Sequence, residues 1–590
     1  MANTHYERLS FLDSTFLAME DRNAHFHVAG VMKFAPGGLR TADGAVDIDR
    51  VKAHIESKLH RIPRYRQVLD WIPLEEHPVW VDDAFFDIDY HVRRATLTDE
   101  RDDVELQRLT GTIFSQKLDR FRPLWEVWIV DGFEDDTLAM ITKVHHCMID
   151  GMAGVDLMKE LLAPFPITDV GPIEPYEPRP SPSKTELLAD EAVRRAAMPL
   201  QALRSFRHLS DSITGLAGEV DTRLRAMGKA LGAGWLKNAS QTPLNERIGP
   251  NREFKWMNVD LDEAKSVKNA LGGTINDVVL TTVAGAVRKY LLAHDVAVDH
   301  LDFRVMAPVS VRSDSDQSLG NQVAMWLLDL PIELDTPRQR YRQIAEETAE
   351  LKETNQALGA SLLVQATSWT PSTILTSAMR LAGTNVRPFN MTVTNVPGPQ
   401  IPIYFLDAML EVQYPMVPLW TNHGVGIALF SYKGAISWGV VADSDSVTDL
   451  DRFVGYIDEA FRELVQAAKP KPARAKKTGK TTGAKPKPAQ KKRSSAKPEA
   501  AAKKPTAKKK PAAKKTPAAQ KTADAKKPAA KKPPAKKTPA TKKPAAKKTQ
   551  AAKKTVAAEE KKPATRKSSA AQKQPATRKP GTKPTPPARS

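Results

Sequence analysis

The stretch Lys143-Val144-His145-His146-Cys147-Met148-Ile149-Asp150-Gly151 carries more chemical information than any other in this chain. The apolar segment 137–142 precedes it and predicts a strand, while the residues from Gly151 onward predict a helix. Two adjacent histidines therefore lie where a strand ends, a place where a rigid scaffold can present a reactive side chain to a cleft. Histidine is also the side chain whose pKa best suits proton transfer near neutral pH.

Several kinds of chemistry fit a histidine pair at such a place. The two histidines and Asp150 resemble a partial metal site, although no further group of Cys and His accompanies them. Cys147 is a candidate nucleophile with a histidine as its base. Alternatively, one histidine is the general base for a substrate and its neighbours shape the turn. A structural pair held by hydrogen bonds is the fourth reading.

The overall formal charge of +19 combines two parts of opposite sign. Residues 469–590 contain 41 Lys and Arg against 4 Asp and Glu, a net charge of +37. The other 47 basic and 65 acidic residues give 1–468 a net charge of −18. With 590 residues, the chain also exceeds one ordinary hydrophobic core. We therefore expect an acidic body of two or more domains and a basic tail.

The single cysteine, Cys147, excludes an intrachain disulfide and suits a reducing compartment. The N-terminal residues lack the basic and apolar regions of a signal peptide. No apolar run reaches the roughly 18–20 residues that a membrane-spanning helix needs. These features predict a cytoplasmic protein that meets lipid only from the side.

Strands alternate with helices in both halves of 1–468, which predicts an α/β fold with two domains. We expect an N-terminal domain over 1–165, a Pro-rich and helical linker over 166–240, and a C-terminal domain over 241–468. The helical part of the linker is amphipathic and basic, so it either packs on the body or lies on a membrane surface. Residues 469–590 have almost no apolar side chain larger than alanine to bury, which predicts disorder.

Six short motifs follow one another along the body. They are Leu9-Ser10-x-Leu12-Asp13-x-x-Phe16-Leu17-x-x-Glu20, Pro123-Leu124-Trp125, His145-His146-x-x-x-Asp150-Gly151, Thr242-Pro243-Leu244-Asn245, Asn276-Asp277 and Asn395-Val396-Pro397-Gly398-Pro399. The histidine motif alone resembles the signature of the chloramphenicol-acetyltransferase-like superfamily, which includes the condensation domains of peptide synthetases. Together, over roughly 5–466, the motifs resemble the bacterial wax ester synthase/diacylglycerol acyltransferases.

This resemblance implies two chloramphenicol-acetyltransferase-like domains with a channel between them. It implies that His146 is the general base, which removes a proton from an acceptor hydroxyl as the oxygen attacks the thioester of a fatty acyl-CoA. His145 would support it, and Asp150 and Gly151 would hold the turn, Asp150 through an ion pair with an unidentified Arg. Cys147 would then be an inert neighbour. The implied chemistry needs no metal and no cofactor, since acyl-CoA is a substrate.

The remaining implied roles concern the channel and the acceptor. We expect Pro123, Leu124, Trp125, Asn276 and Asp277 to shape the channel or the architecture rather than to react. The acceptor is expected to be diacylglycerol, which yields triacylglycerol, with long-chain alcohols and wax esters as the alternative. The resemblance places the protein at the inner membrane or at lipid inclusions. The oligomeric state is left open.

The basic tail has its own candidate partners. Its lysines suit the phosphates of nucleic acid, bound without sequence reading. They equally suit an anionic membrane or lipid-inclusion surface. A body without activity, tethering lipid inclusions to DNA through 469–590, is the rival to the enzyme hypothesis, and a tail without a role is the third reading.

Overall fold

The computed structural model describes residues 5–148, 158–196, 237–310, 323–353 and 387–469. All of them lie in one compact unit, Met1–Thr478, and the second unit, Gly479–Ser590, contains none of them. The predictions for Asp150, Gly151, most of the helical linker and the basic tail therefore lie outside the described residues.

The described chain alternates strands and helices, as expected. The strands are β1 (Tyr6–Arg8), β2 (His27–Phe34), β3 (Gln67–Ile72), β4 (His77–Asp82), β5 (Val92–Thr96), β6 (Trp125–Asp131), β7 (Leu138–His145), β8 (Leu162–Ala163), β9 (Arg252–Asp260), β10 (Arg304–Ser310), β11 (Val323–Asp329), β12 (Met391–Pro397), β13 (Tyr404–Phe405), β14 (Ala408–Met416), β15 (Val425–Tyr432) and β16 (Ala435–Asp443). The helices are α1 (Phe11–Met19), α2 (Ile48–Leu59), α3 (Ile88–His91), α4 (Asp103–Ser115), α5 (Leu261–Leu271), α6 (Ile275–Ala293), α7 (Pro337–Glu353) and α8 (Leu450–Ala468), besides helical segments at 158–161 and 184–196.

Two large sheets dominate the fold. The seven-stranded sheet has the order β5-β6-β7-β2-β14-β13-β8, and the six-stranded sheet has the order β11-β10-β12-β15-β16-β9. A small third sheet has the order β1-β4-β3. Within the large N-terminal sheet, β7 runs antiparallel to β2 in a register that places His145 opposite His27. The histidine segment thus leaves a strand that has a partner on each side.

The N-terminal sheet contains strands from the C-terminal half. β14 pairs with β2 in antiparallel register, so that Met416 lies opposite Ala29, and β13 joins β14 to β8. No pattern in the sequence indicates this exchange. It fastens the two halves together by backbone hydrogen bonds beside the strand that ends in His145.

Helix α4 and strand β9 form a second junction between the halves. A side chain at Gly111 would meet the carbonyl oxygen of Arg252 at 2.6 Å, so only glycine permits this approach. Beside it, the Arg252 backbone N–H donates to Ser115 Oγ at 2.8 Å. The buried Arg252 guanidinium also donates to Asp443 Oδ1 at 3.2 Å and to the carbonyl oxygen of Asn23. One arginine thereby joins segments from both halves.

Helix α1 lies against the histidine segment. Ser10, a residue type that favours this position, is its N-cap, and the Ser10 hydroxyl accepts the Asp13 N–H at 3.2 Å. The helix ends at Glu20, whose extended backbone stops it. Its buried side chains include Phe16 and Leu17. The N-cap at Ser10 and the C-cap at Glu20 fix where α1 begins and ends, and so fix which of its turns faces His146.

Helix α6 forms the core of the C-terminal half, with buried side chains on nearly every turn. Among the described helices, none is by itself long and apolar enough to cross a membrane. Only α5 and α6 taken together pass that test of length and composition, and they are bent by 98° at their break.

Candidate active site

Three backbone or side-chain hydrogen bonds fix the histidine pair at the end of β7. The His145 N–H donates to the Leu124 carbonyl oxygen at 3.0 Å, and the His146 N–H donates to the Phe26 carbonyl oxygen at 2.9 Å. The Cys147 N–H then donates to His145 Nδ1 at 3.1 Å, inside the short 3₁₀ turn His146–Met148. The position of the pair is thus held from both neighbouring strands.

His146 has an apolar environment. Its ring lies 4.0 Å from the ring of Phe16, centroid to centroid, with an angle of 31° between the planes. Burial lowers the pKa of His146 to about 4. The side chain is nevertheless only partly buried, whereas Nδ1 is fully buried and has no hydrogen-bond partner. His146 is therefore neutral at neutral pH, and Nε2 is the nitrogen left to meet a substrate.

His145 has a different environment. It is 2% exposed, and its Nδ1 is used as an acceptor, so the neutral ring carries its proton on Nε2. Burial, followed by the nearby Arg120 cation, lowers the pKa of His145 well below its usual range. Its ring packs edge-on to that of the buried His27, with 5.8 Å between centroids. These contacts make His145 a support for the turn.

Phe26 is a residue that the sequence analysis did not single out. Its φ of +49° is unusual for a residue with a side chain, and its carbonyl oxygen holds the His146 N–H. Its ring lies 5.8 Å from Phe16 and, edge-on, 5.0 Å from Trp420 of the C-terminal half. A row of aromatic rings thus connects the C-terminal half to His146. Phe16 belongs to a motif, but nothing in the local pattern marks Phe26 or Trp420.

Cys147 is unsuited to nucleophilic attack. The thiol is 1% exposed, and burial, followed by the carboxylates of Asp13 and Glu20, raises its pKa well above the usual value. It is therefore protonated at neutral pH. Within the described residues, no group of three or more His, Cys, Asp or Glu side chains is arranged to hold a metal ion.

The loop between α4 and β6 encloses the histidine region. The Lys117 Nζ lies 3.2 Å from Glu20 Oε1 at the end of α1, and the Arg120 guanidinium also contacts the Glu20 carboxylate. The Leu118 N–H points to His27 Nε2 at 3.5 Å. At the base of the loop, the buried Lys143 Nζ donates to carbonyl oxygens of the C-terminal turn of α4 and its cap at 2.9 and 3.0 Å.

Pro123, Leu124 and Trp125 lie behind the histidine pair. Pro123 lies two residues before the start of β6, outside the sheet, where its missing N–H costs no bond between strands. Besides the Leu124 carbonyl bond to His145, the Trp125 indole donates to the Tyr65 carbonyl oxygen at 2.9 Å. The Trp125 ring stacks on His91 at 4.4 Å. The motif therefore makes backbone and core contacts.

Asp277 makes its contacts within the C-terminal half. Thr274 is the N-cap of α6, and Asp277 Oδ2 accepts the Thr274 N–H at 2.6 Å in a capping box. Asp277 Oδ1 accepts the Thr348 hydroxyl at 2.7 Å. In the described part of the chain, these contacts do not join Asp277 to His146. Asn276 is partly exposed beside it.

A cleft of about 640 Å³ opens at the junction of α4 with β9. Its lining includes Arg108, Thr112 and Gln116 on one side and Asn251 and Lys255 on the other. None of the predicted site residues lines it, so it is separate from the histidine pair.

Comparison with known proteins identifies the family. Residues 9–279 match the model of the wax ester synthase/diacylglycerol acyltransferase catalytic domain, and residues 319–465 match the model of the C-terminal domain of the same family. The Mycobacterium tuberculosis H37Rv protein Rv1760, a candidate diacylglycerol O-acyltransferase, is 33% identical over 475 residues, which cover 79% of this chain and 91% of that protein. Another from the same strain, Rv3740c, is 31% identical over 473 residues, covering 78% and 99%.

A solved structure supports the same assignment of fold. The wax ester synthase/diacylglycerol acyltransferase from Marinobacter aquaeolei VT8 superposes with a TM-score of 0.54 and 24% identity, covering 78% of this chain and 99% of that one. This likeness confirms the predicted fold class, a mixed α/β fold of the chloramphenicol-acetyltransferase-like type with sheets flanked by helices.

Proposed function

Because this chain belongs to the wax ester synthase/diacylglycerol acyltransferase family, we propose that it transfers a fatty acyl group from acyl-CoA to the hydroxyl of diacylglycerol. The product is triacylglycerol, and free CoA is released. The observation that carries the proposal is the environment of His146, a neutral, partly buried imidazole whose backbone is fixed by Phe26.

The proposed chemistry begins with proton transfer to His146 Nε2. As the acceptor hydroxyl loses its proton, its oxygen attacks the thioester carbonyl carbon and forms a tetrahedral oxyanion. The C–S bond then breaks, and the sulfur of CoA leaves with the proton that the imidazolium returns. An imidazolium is costly in this apolar setting, but the oxyanion formed at the same time offsets part of that cost. No covalent bond to the protein forms, which agrees with the protonated thiol of Cys147.

The neighbouring residues would act through His146. We propose that His145 fixes the turn through its bond from Cys147, and that Asp150 and Gly151 complete the turn. Pro123, Leu124 and Trp125 would hold the strand behind it. For Asn276 and Asp277 the contacts of Asp277 favour an architectural role.

The second candidate acceptor is a long-chain alcohol, which would yield a wax ester. The description of the family supports this alternative, because it names both wax ester synthase and diacylglycerol acyltransferase. In either case acyl-CoA is the donor and no cofactor takes part. Both acceptors are neutral lipids, so we propose that the protein works on the cytoplasmic side of the inner membrane or at lipid inclusions. The role of the basic tail, on nucleic acid or on lipid, stays a prediction.

A transfer assay tests the proposal. The purified full chain would receive radiolabelled palmitoyl-CoA with diacylglycerol and hexadecanol in parallel. We expect label in triacylglycerol and a loss of about 10²–10⁴-fold in His146→Ala. His60→Ala is the matched control, since His60 is a partly exposed histidine at the C-cap of α2 and contacts Glu174. Transfer by His146→Ala within a few fold of the parent would contradict the assignment of the base.

A further inference from the structure

Two phenylalanines protrude from the surface of the N-terminal half. Phe85 is 82% exposed and Phe121 is 87% exposed. Single exposed apolar residues are common, but phenylalanines exposed to this extent are costly to leave in water, about 1.5–3 kcal/mol each relative to burial. Their arrangement is more informative than their number.

Both side chains are presented by the same kind of turn. The Phe85 N–H donates to Asp83 Oδ1 at 2.9 Å, and the Phe121 N–H donates to Asp119 Oδ1 at 2.9 Å. In each case an aspartate side chain closes a tight turn and sets the residue two positions later at its tip. The two phenylalanines are thus held outward by the backbone, not left there by a loose loop.

Arg122 joins the two turns. Its guanidinium donates to the Phe85 carbonyl oxygen at 3.1 Å and lies over the ring of Tyr90 at 5.1 Å. Among the described residues, no carboxylate lies within ion-pair distance of Arg122. Arg122 therefore places the Phe85 and Phe121 turns next to each other, and Phe85, Phe121, Tyr90 and Arg122 are called here the Phe85/Phe121 face.

This face is tied to the histidine region. Behind it, Phe86 stacks on His91 at 5.3 Å, and His91 stacks on Trp125 at 4.4 Å. The loop that carries Phe121 contacts Glu20 and His27 before the chain enters β6. The face therefore lies on the same side of the N-terminal half as the residues that pack behind the histidine pair, while Phe85 and Phe121 themselves point away from it into solvent.

One cation of this face is available to a lipid headgroup. Segments 83–94 and 116–122 contain five Lys and Arg against four Asp. Four of these cations contact carboxylates outside the two segments: Lys117 and Arg120 contact Glu20, Arg93 contacts Glu126, and Arg94 contacts Asp131. Arg122 is the fifth, and it has no carboxylate partner among the described residues. Two protruding rings beside such an arginine suit the headgroup region, where each ring enters alone and the cation meets a phosphate.

We propose that the Phe85/Phe121 face docks the protein on a phospholipid surface that contains the neutral lipid acceptor. Phe85 and Phe121 enter the acyl region, and Arg122 binds a headgroup phosphate. The inference rests on the proposed function for its choice of acceptor. It assigns the side of the molecule that faces the lipid.

Binding of the full chain to phosphatidylcholine vesicles, with and without diacylglycerol, tests the face by sedimentation. A zwitterionic vesicle keeps the contribution of the basic tail small. We expect about tenfold weaker binding for Phe85→Ser and for Phe121→Ser, and about a hundredfold weaker binding for both together. Phe85→Leu and Phe121→Leu should retain most of the binding.

Leu74→Ser is the matched control. Leu74 is 91% exposed in the turn before β4, whereas Phe85 follows the end of that strand, about 20 Å away. The control should bind as the parent does. If the double variant binds as tightly as the parent, or if the parent does not bind the vesicles, the proposal is wrong.

Transfer to diacylglycerol dispersed in detergent separates this proposal from the proposed function. The double serine variant should keep its transfer rate there and lose it on vesicles. Failure of the parent to transfer in detergent would refute the proposed function, and vesicle binding would still decide the face. Loss of transfer by the double variant in detergent as well would mean that the rings support the site itself, and would overturn the docking role.

Discussion

Replacement of Phe16 by alanine should raise the pKa of His146. Burial is the first cause of its low pKa, and the Phe16 ring, 4.0 Å away, covers one face of the imidazole. Removing the ring lets water reach that face, and hydration favours the protonated form. Phe16→Leu keeps an apolar cover and should leave the pKa near its present value.

The size of the effect follows from the total shift. The pKa of about 4 lies about 2.5 units below the ordinary 6.5. If the Phe16 ring accounts for slightly more than half of this shift, Phe16→Ala brings the pKa of His146 to about 5.5. The neutral fraction of His146 at pH 5 then falls from about 0.9 to about 0.25. Since the base must be neutral to accept a proton, transfer at pH 5 relative to pH 7 should fall by the same ratio.

The assay is an NMR titration of the full chain with ¹³C-labelled histidine. His146→Gln identifies the resonance, and its midpoint is read over a range of roughly pH 3 to 8, which includes the parent value of about 4. Phe34→Ala is the matched control. Phe34 is also a buried phenylalanine, but it lies at the far end of β2, about 23 Å from His27 at the end near the histidine pair. It should cost similar stability and leave the His146 midpoint unchanged.

Two results would refute the reasoning. An unchanged midpoint in Phe16→Ala would show that the ring does not exclude water from His146. An equal shift in Phe34→Ala would show that general loosening, not the local contact, sets the pKa.

Three further predictions concern stability. Buried histidines have lowered pKa values when folded: about 4 for His77, His91 and His146, about 3 for His423, and well below the ordinary value for His27 and His145. The unfolded chain therefore binds more protons between pH 4 and 6.5, and stability falls as the pH falls, although Glu347, whose pKa is raised to about 7, opposes this. We expect urea unfolding to show a loss of at least about 4 kcal/mol per pH unit near pH 5, and about 1 kcal/mol per unit less in His423→Gln. Asp277→Ala should lower the free energy of unfolding by about 2–3 kcal/mol, because the capping box and the hydrogen bond from Thr348 are both lost. Acyl transfer per folded molecule should stay within a few fold of the parent, and a loss of transfer at unchanged stability would instead assign Asp277 to the chemistry. Lys143→Met should lower the free energy of unfolding by about 3–5 kcal/mol, because two carbonyl oxygens and the Glu126 carboxylate, 3.5 Å away, lose a buried cation. A double-mutant cycle with Glu126→Gln should show coupling between the two side chains, and additive losses of stability would contradict this.

The sequence predicted those parts of the fold that local chemistry decides. Ser10 caps α1, the apolar run before the histidines forms β7, and the Gly434 turn joins β15 to β16 as a hairpin. Each of these depends on residues close together in the chain, where caps, periodicity and turn residues are readable. The histidine pair was found in the same way, because it lies at such a strand end.

The parts that depend on distant contacts were not predicted. Nothing in 408–416 indicates that this strand pairs with β2, since an alternating apolar pattern fits any half-buried sheet position. The positive φ of Phe26 and its contact with Trp420 likewise arise only in the folded chain. The segment 80–92 by its sequence predicts a loop followed by a strand, but Trp80–Asp82 ends β4 and Ile88–His91 forms a helical turn. The roles of Asp150 and Gly151 stay predictions.

The exchange of β14 into the N-terminal sheet has a consequence during synthesis. Ala29 emerges from the ribosome long before its partner Met416, and at about 5–20 residues per second the delay is roughly 20–80 s. During that time the edge of β2 presents unpaired N–H and C=O groups, which invite pairing with other nascent chains. We therefore expect the newly made N-terminal half to need a chaperone until β14 arrives, and fragments that end before it to aggregate.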